Sequence, residues 1–336
     1  MTPEEVSRLP MFRRVSRARL SEALAAFIPC EIGPGEVLMR EGEPDQAMVI
    51  VVEGEVSVHV GPNRLELTRL GRGELVGDMA LFGGIDRRSA TVISVKQSTV
   101  LLLDAQGLQF LKMKRNPCVR LLEEHALHTV ARRLRETNRL IASVALGGEA
   151  PEGPDTSLWG RTVRLFSGKG PSSEAPSSLD VLASCPAFRN QPPAALERLS
   201  HQVEVFSVRA GERITVEGEP GSDAYVLAQG LIDVYHSTLR DTQERIARLR
   251  DGALFGAASM VDDKPRAATC VAAEPSWLAV LPGALLLNRD DVDPVEAAVF
   301  RRSMFSALSD QLRMANGHAE FLQGSLNGHT LDPRFS

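Results

Sequence analysis

Short runs of alternating apolar and polar residues occupy most of the chain. Val56, Val58 and Val60 alternate with polar residues, and they follow the apolar run Val49–Val52 across a Glu-Gly turn. Alternation with a period of two is typical of β-strands, and glycines recur between the runs. The pattern therefore predicts a small antiparallel barrel or jelly roll built from short strands.

Two long segments have a helical pattern instead. The first runs from Pro117 to Val144, with apolar residues seven apart at Leu127, Leu134 and Ile141. The second runs from Pro294 to Leu322, and its apolar stripe consists of Met304, Leu308, Leu312, Ala315 and Leu322. Such a stripe either packs on its own domain or forms a dimer seam.

The same order of elements occurs twice along the chain. Gly35 matches Gly211, and the Glu-Gly-Glu-Pro sequence at 41–44 matches the one at 217–220, both at an offset of 176 residues. Farther on, Arg-Ser-Ala-Thr at 88–91 matches Arg-Ala-Ala-Thr at 266–269 at an offset of 178. We therefore predict a mainly β fold with flanking helices (α+β). It consists of two tandem double-stranded β-helix or jelly-roll barrels, each with a long C-terminal helix.

Composition places the boundaries of the two copies. Residues 1–146 form the first domain and 179–324 the second, while 147–178 are rich in Gly, Pro and Ser and are expected to be a flexible linker. The more apolar stretch Leu158–Phe166 inside the linker is interpreted as local packing in preference to a docking motif. Residues 325–336 are expected to be a disordered tail, too short for a helix-turn-helix.

Ser16 lies in an Arg-Arg-x-Ser sequence before Arg17–Leu24. A serine directly before a helical segment is a preferred N-cap, so we favour that interpretation over a kinase recognition sequence.

Charge and cysteine content exclude several classes of function. The net charge of −5 argues against nucleic-acid binding, which usually needs a basic surplus. The four cysteines are scattered, so neither a disulfide framework nor a metal site is expected, and a reducing, cytoplasmic compartment fits best. No apolar run approaches the about 18 residues of a membrane span. No nucleophile elbow, P-loop or paired-carboxylate motif is present, so an enzyme is not expected.

The candidate chemistry lies in the sequence VGDMALFGGIDRRSATV, residues 76–92, which we call the first cassette. A glycine before a short helical turn leaves backbone N–H groups for an anion. An acidic residue in the turn can accept a hydrogen bond from a sugar hydroxyl. An arginine about ten residues later can return beside the turn and bind a phosphate with two parallel hydrogen bonds.

The first cassette resembles the phosphate-binding cassette of the cyclic-nucleotide-binding domain family, F-G-E-x-A-L followed by P-R-[STA]-A. The resemblance implies that Asp78, in place of the usual Glu, binds the ribose 2′-hydroxyl, that Arg88 binds the cyclic phosphate and that Ser89 assists. It also implies that the nucleotide is lined by Gly77, Asp78, Met79, Ala80, Arg88 and Ser89.

A second resemblance lies on the first long helix. The segment Ala126–Leu140 is similar to the C-terminal helix of the catabolite activator family, in which a threonine faces the adenine. The resemblance implies this role for Thr137, with a contribution from Asn138. Otherwise Thr137 is a polar residue near a dimer seam.

The second copy departs from the pattern in its own cassette, LFGAASMVDDKPRAATCV, residues 254–271. Gly256 and Arg266 are retained and Ala267 follows, but Ala257 replaces the ribose acid. On the closing helix, Ala315 stands where the first copy has Thr137. We therefore predict a weak, altered or silent second site.

The family resemblance implies a regulatory protein that binds a cyclic nucleotide, cAMP before cGMP or a cyclic dinucleotide, with no further cofactor. Binding would move the closing helix and signal to a protein partner whose identity the sequence does not give. Neither DNA nor a membrane is an expected partner. Two chains could form a homodimer through the long helices, or the two copies could pair within one chain. The alternative is a duplicated scaffold that no longer responds to nucleotide.

Overall fold

The computed structural model describes residues 2–83, 87–145, 174–237, 243–286 and 295–326. Most of the predicted linker, including Leu158–Phe166, and nearly all of the predicted tail lie outside these ranges. The chain divides into two compact units, one formed by Met1–Val130 with Ser309–Ser336 and the other by Ala131–Leu308. The domain boundaries inferred from composition stay a prediction.

The first unit contains two four-stranded antiparallel sheets, with strand orders β1-β8-β3-β6 and β2-β7-β4-β5. Val51 of the apolar run and Val56 and Val58 of the alternating run are among the residues of the core. The strands are β1 (Ile28–Ile32), β2 (Val37–Met39), β3 (Met48–Glu53), β4 (Val56–Val60), β5 (Leu65–Leu70), β6 (Leu75–Val76), β7 (Thr91–Ser94) and β8 (Ser98–Leu103). The helices are α1 (Pro3–Ser7), α2 (Arg17–Leu24), α3 (Asp78–Phe82) and α4 (Ala105–Met113), with a 3₁₀ turn at Pro10–Phe12. The long helix α5 (Cys118–Ala145) belongs to the first unit only as far as Val130.

The second unit repeats this topology, with strand orders β14-β11-β16-β9 and β10-β15-β12-β13. Its strands are β9 (Glu204–Val208), β10 (Arg213–Thr215), β11 (Ala224–Gln229), β12 (Ile232–Ser237), β13 (Gln243–Leu249), β14 (Leu254–Phe255), β15 (Thr269–Ala272) and β16 (Ser276–Leu281). The helices are α6 (Ser178–Ser184), α7 (Pro193–Ser200) and α8 (Ala257–Asp262), with 3₁₀ turns at Pro186–Phe188 and Gly283–Leu286. The long helix α9 (Val295–Leu326) belongs to the second unit as far as Leu308, and its later part groups with the first unit. The predicted fold class, two tandem jelly-roll barrels with long helices, is confirmed.

A glycine shared by both copies explains part of the repeat. Gly54 has a φ of +101° and Gly230 a φ of +121°, a region that favours glycine. A Cβ at either position would lie 2.1 Å from a serine Oγ, that of Ser98 or of Ser276. The same hydroxyls accept a hydrogen bond from the backbone N–H that follows each glycine, at 3.1 Å and 3.3 Å. The turn after β3 and after β11 therefore requires a residue without a side chain.

The long helices agree with the predicted segments to within a few residues. Leu127, Leu134 and Ile141 are buried on α5, as their spacing predicts. On α9 the buried stripe continues from Leu312 through Asn316 and Ala319, whereas Ala315 and Leu322 are only half-buried. At 3.6 residues per turn the most buried positions after Leu312 are Asn316 and Ala319, and the half-buried Ala315 and Leu322 lie at the edge of the same face.

Helix α2 begins as predicted. The Ser16 hydroxyl accepts a hydrogen bond from the Arg19 backbone N–H at 3.4 Å and caps the helix.

Candidate functional site

The first cassette begins where β6 turns into α3. Gly77 has a left-handed backbone conformation with φ +84° and precedes the helix. A Cβ there would lie 2.6 Å from the Ala47 carbonyl oxygen and 2.6 Å from Arg88 Nη1, so only glycine fits. The following residues Asp78, Met79 and Ala80 are buried, and Asp78 has no exposed surface. The sequence therefore places a carboxylate inside the barrel at the first turn of α3.

Arg88 is fixed beside this turn by backbone pairing. Its N–H donates to the Glu43 carbonyl and its own carbonyl accepts from the Gly42 N–H, both at 2.9 Å. The side chain is 3% exposed and runs back to Gly77, where Nη1 lies 3.5 Å from the carbonyl oxygen. The arginine of the motif is therefore directed at the glycine turn, as the spacing of the cassette predicts.

Asp45 neutralises this buried guanidinium. Nη2 of Arg88 forms a short ion pair with one carboxylate oxygen of Asp45, whose side chain is 50% exposed. The other carboxylate oxygen accepts from the Ala47 N–H at 3.0 Å. Nε of Arg88 is buried and has no hydrogen-bond acceptor among the residues that the structure describes. Arg88 thus has one exchangeable carboxylate partner and one donor that a ligand could use.

Ser89 lies next to the same turn. Its Oγ is 3.6 Å from Sδ of Met79, a weak contact that leaves the hydroxyl half-buried. The structure therefore brings together Gly77, Met79, Arg88 and Ser89, with Asp78 and Ala80 in the same helical turn.

Thr137 and Asn138 do not belong to the unit that contains the first cassette. The part of α5 from Ala131 onward groups with Ala131–Leu308, whereas the part of α9 from Ser309 onward groups with the first cassette. The helix positions within the first unit that match Thr137 and Asn138 are thus Ala315 and Asn316. Asn316 is buried, which the repeat alignment did not indicate. The role of Thr137 and Asn138 at the first site stays a prediction.

The second cassette has the same backbone and different side chains. Gly256 is again left-handed with φ +78°, but Ala257 occupies the first position of α8. Arg266 is 7% exposed and donates from Nη1 to the carbonyls of Asp223 at 2.6 Å and Gly256 at 3.0 Å. Ala267 is half-buried beside it. The residue that matches Asp45 is Gly221, and within the described part of the chain no carboxylate forms an ion pair with Arg266.

An aromatic side chain replaces that ion pair. The Arg266 guanidinium lies 5.7 Å from the centroid of the Tyr225 ring, which stacks on Phe255 at 5.4 Å. Burial raises the pKa of Tyr225, although the positive charge of Arg266 acts in the opposite direction. The sequence analysis missed both Asp45 and Tyr225. The repeat alignment could have indicated them, because the two copies differ in residue type at both positions. Asp45 of the first copy aligns with Gly221, and Tyr225 of the second aligns with Val49.

Other kinds of site find no support in the ranges that the structure covers. Those ranges contain no helix that is long and apolar enough to cross a membrane. They also contain no group of three side chains that could bind a metal ion. The four cysteines are free thiols.

Comparisons with known proteins agree with the geometry of the cassettes. The family model of the cyclic nucleotide-binding domain matches residues 29–115 and 205–288, which together make up about half of the chain. Each matched segment contains most of one barrel and its cassette.

Two curated relatives illustrate the extent of the similarity. The cyclic nucleotide-gated potassium channel of Rhizobium etli is 37% identical over 106 residues, 32% of this chain and 29% of the channel. The cAMP-dependent protein kinase regulatory subunit of Colletotrichum orbiculare is 31% identical over 93 residues, 28% of this chain and 23% of that subunit. The chain therefore spans less than a third of the length of these relatives.

Among solved structures, the regulatory domain of Toxoplasma gondii PKA with cAMP covers 84% of this chain and 90% of its own. The identity is 16% and the TM-score 0.31.

Proposed function

The chain belongs to the cyclic nucleotide-binding domain family, and we propose that its first barrel is a sensor for a purine cyclic nucleotide, cAMP in particular. The observation that carries the proposal is the buried Arg88, whose guanidinium is directed at the glycine turn and paired with a half-exposed carboxylate. A cyclic phosphate is an anion that could replace this carboxylate at the buried guanidinium.

Phosphate binding would exchange one anion for another at Arg88. A guanidinium binds phosphate most strongly with two parallel N–H groups, and the edge formed by Nε and Nη2 offers such a pair. Nη2 is engaged by Asp45, so a phosphate on that edge must displace the carboxylate. The Ser89 hydroxyl, half-buried beside Arg88, would donate a further hydrogen bond.

The sugar would be recognised by Asp78. Its carboxylate is buried in the first turn of α3, close in sequence to the phosphate-binding turn. A buried carboxylate that accepts a hydrogen bond from a hydroxyl selects ligands that carry it, because a ligand without the hydroxyl leaves the charge without that partner. We therefore assign the ribose 2′-hydroxyl to Asp78.

The second barrel is a weak or silent site in this proposal. Ala257 offers no acceptor to a sugar hydroxyl, and Arg266 is already engaged by two backbone carbonyls and by the Tyr225 ring. Gly256 and Ala267 keep the backbone of a cassette without its discriminating side chains.

The long helices would transmit the binding of nucleotide to a partner. Nucleotide in the first barrel would order the first cassette and shift the position of the long helices, and a protein partner would respond to that shift. The chain would act in the cytoplasm as a regulator without enzymatic activity of its own. Its four free thiols fit a reducing compartment.

A thermal-shift comparison of the full chain tests the sensor function. Because a ligand that binds the folded state raises the melting temperature, cAMP should raise it more than 2′-deoxy-cAMP does. In Asp78→Asn the two ligands should give similar, smaller shifts. Cyclic GMP and a cyclic dinucleotide measured alongside establish base preference. If no cyclic nucleotide changes the melting temperature of the parent chain, the protein is a duplicated scaffold and not a sensor.

A further inference from the structure

Arg135 of α5 binds the end of the second cassette helix. Its Nε and Nη2 donate to the two carboxylate oxygens of Asp262 at 2.7 Å and 2.9 Å, a bidentate pair. Nη2 also lies 3.3 Å from the Ser259 hydroxyl and 3.5 Å from the Lys264 carbonyl oxygen. Both side chains of the ion pair are buried, at 9% and 6% exposure, and both residues belong to the second unit.

The acceptors for Arg135 are specific to the second copy. Counted from the cassette glycines Gly77 and Gly256, Asp262 matches Gly83 and Ser259 matches Ala80, which have no side-chain oxygen. At these two described positions the first cassette therefore offers an arginine no side-chain acceptor.

The corresponding arginine on the other long helix also behaves differently. Arg313 matches Arg135 when the two helices are aligned, and its side chain is 49% exposed. It pairs within its own helix with Asp310, at 2.6 Å. Only one of the two matched arginines therefore contacts a cassette in the described part of the chain.

The turn that follows α8 depends on the same carboxylate. Oδ1 of Asp262 accepts from the Lys264 N–H at 3.3 Å, and Asp263 between them has a φ of +51°, unusual for a residue with a side chain. The Ser259 hydroxyl bridges to the Pro265 carbonyl at 3.4 Å. Arg135 thus stands at the centre of a network that includes the helix, its C-terminal turn and the residue before Arg266.

We propose that Arg135 is a positioning residue that fixes the second cassette in the absence of nucleotide. Under the proposed function, nucleotide orders the first cassette and shifts the long helices. In the second cassette, where Ala257 replaces the acidic residue, the buried Arg135 side chain joins the cassette to α5 without a ligand. The second barrel is accordingly a fixed support for the part of α5 from Ala131 onward, and its cassette keeps one conformation without a ligand.

Amide hydrogen exchange of the full chain without nucleotide tests this directly. The isosteric Asp262→Asn and the neutral Arg135→Gln should each raise exchange in peptides that cover Ala257–Asp262 by roughly tenfold or more. Exchange in β11 should be unchanged. The double variant should exchange no faster than the faster single variant, because both substitutions break one contact. Arg313→Gln is the matched control and should leave the second cassette as it is in the parent.

Two results would overturn the proposal. Unchanged exchange in the cassette peptides of both single variants would mean that Arg135 does not fix the cassette. An equal rise in the cassette and in β11 would mean that the pair supports the whole unit and not the cassette. Because no nucleotide is present, either result is separate from a failure of the sensor function.

Discussion

Removing the ion pair between Asp45 and Arg88 should lower the stability of the ligand-free protein and raise its affinity for cAMP. Asp45→Asn removes the negative charge but keeps the size of the side chain and its acceptor for the Ala47 N–H. In the protein without ligand, the buried Arg88 then loses its carboxylate partner, so the first unit is destabilised. In the nucleotide complex the phosphate takes that place, so the substitution has little effect there.

The size of the effect follows from the exposure of the pair. A hydrogen bond to a charged group contributes ~1.5–3 kcal/mol, and solvent screening of the half-exposed Asp45 reduces this to about 1–1.5 kcal/mol. The melting temperature of the ligand-free variant should fall by about 2–5 °C. Since ~1.4 kcal/mol corresponds to a tenfold change in Kd, cAMP should bind about five- to tenfold more tightly.

Calorimetric titration and thermal unfolding of the same preparations measure both quantities. Glu43→Gln is the matched control, because its exposed carboxylate lies 3.9 Å from Arg40 and only its backbone carbonyl contacts Arg88. It should change neither the affinity nor the melting temperature appreciably. Weaker or unchanged cAMP binding in Asp45→Asn would refute the exchange of carboxylate for phosphate at Arg88.

Two further predictions concern burial of titratable groups. Burial raises the pKa of three thiols, to about 12 for Cys118 and about 11 for Cys185 and Cys270. Iodoacetamide at neutral pH should therefore modify only the half-buried Cys30 of the folded chain. Mass spectrometry that locates the label on another cysteine would contradict this. The pKa of Glu320 is raised mainly by burial and to a smaller extent by the negative charge of Glu41. Ionised Glu320 therefore costs stability above its folded pKa, and that cost is relieved as the pH falls through it, so Glu320→Gln should raise the melting temperature more at neutral than at mildly acidic pH. An equal shift in both buffers would show that the charge of Glu320 is not responsible.

The strands and the duplication could be predicted from sequence because their signals are local. Alternation with a period of two places Val56, Val58 and Val60 on a strand, and Gly54 and Gly230 are required by a left-handed turn against a serine. Each cassette could also be located in the sequence, since its motif, from the glycine to the arginine, lies within about a dozen consecutive residues.

The ion-pair partners of the two arginines could not be predicted from the sequence, because they lie far away along the chain. Asp45 lies 43 residues from Arg88, and Asp262 lies 127 residues from Arg135. Neither carboxylate belongs to a periodic pattern. The grouping of the later half of each long helix was also hidden, because an apolar stripe has the same appearance whichever barrel it packs against. The prediction for Thr137 depended on that choice.

The central claim is that one cyclic nucleotide binds in the first barrel through Arg88. Calorimetric titration of cAMP into the parent chain, Arg88→Ala and Arg266→Ala tests it most directly. We expect one site per chain in the parent, the same site in Arg266→Ala, and affinity reduced by ~30-fold or more in Arg88→Ala, because a buried charge pair with the phosphate is lost. Binding to Arg88→Ala with the affinity of the parent, or loss of the site in Arg266→Ala alone, would contradict the account.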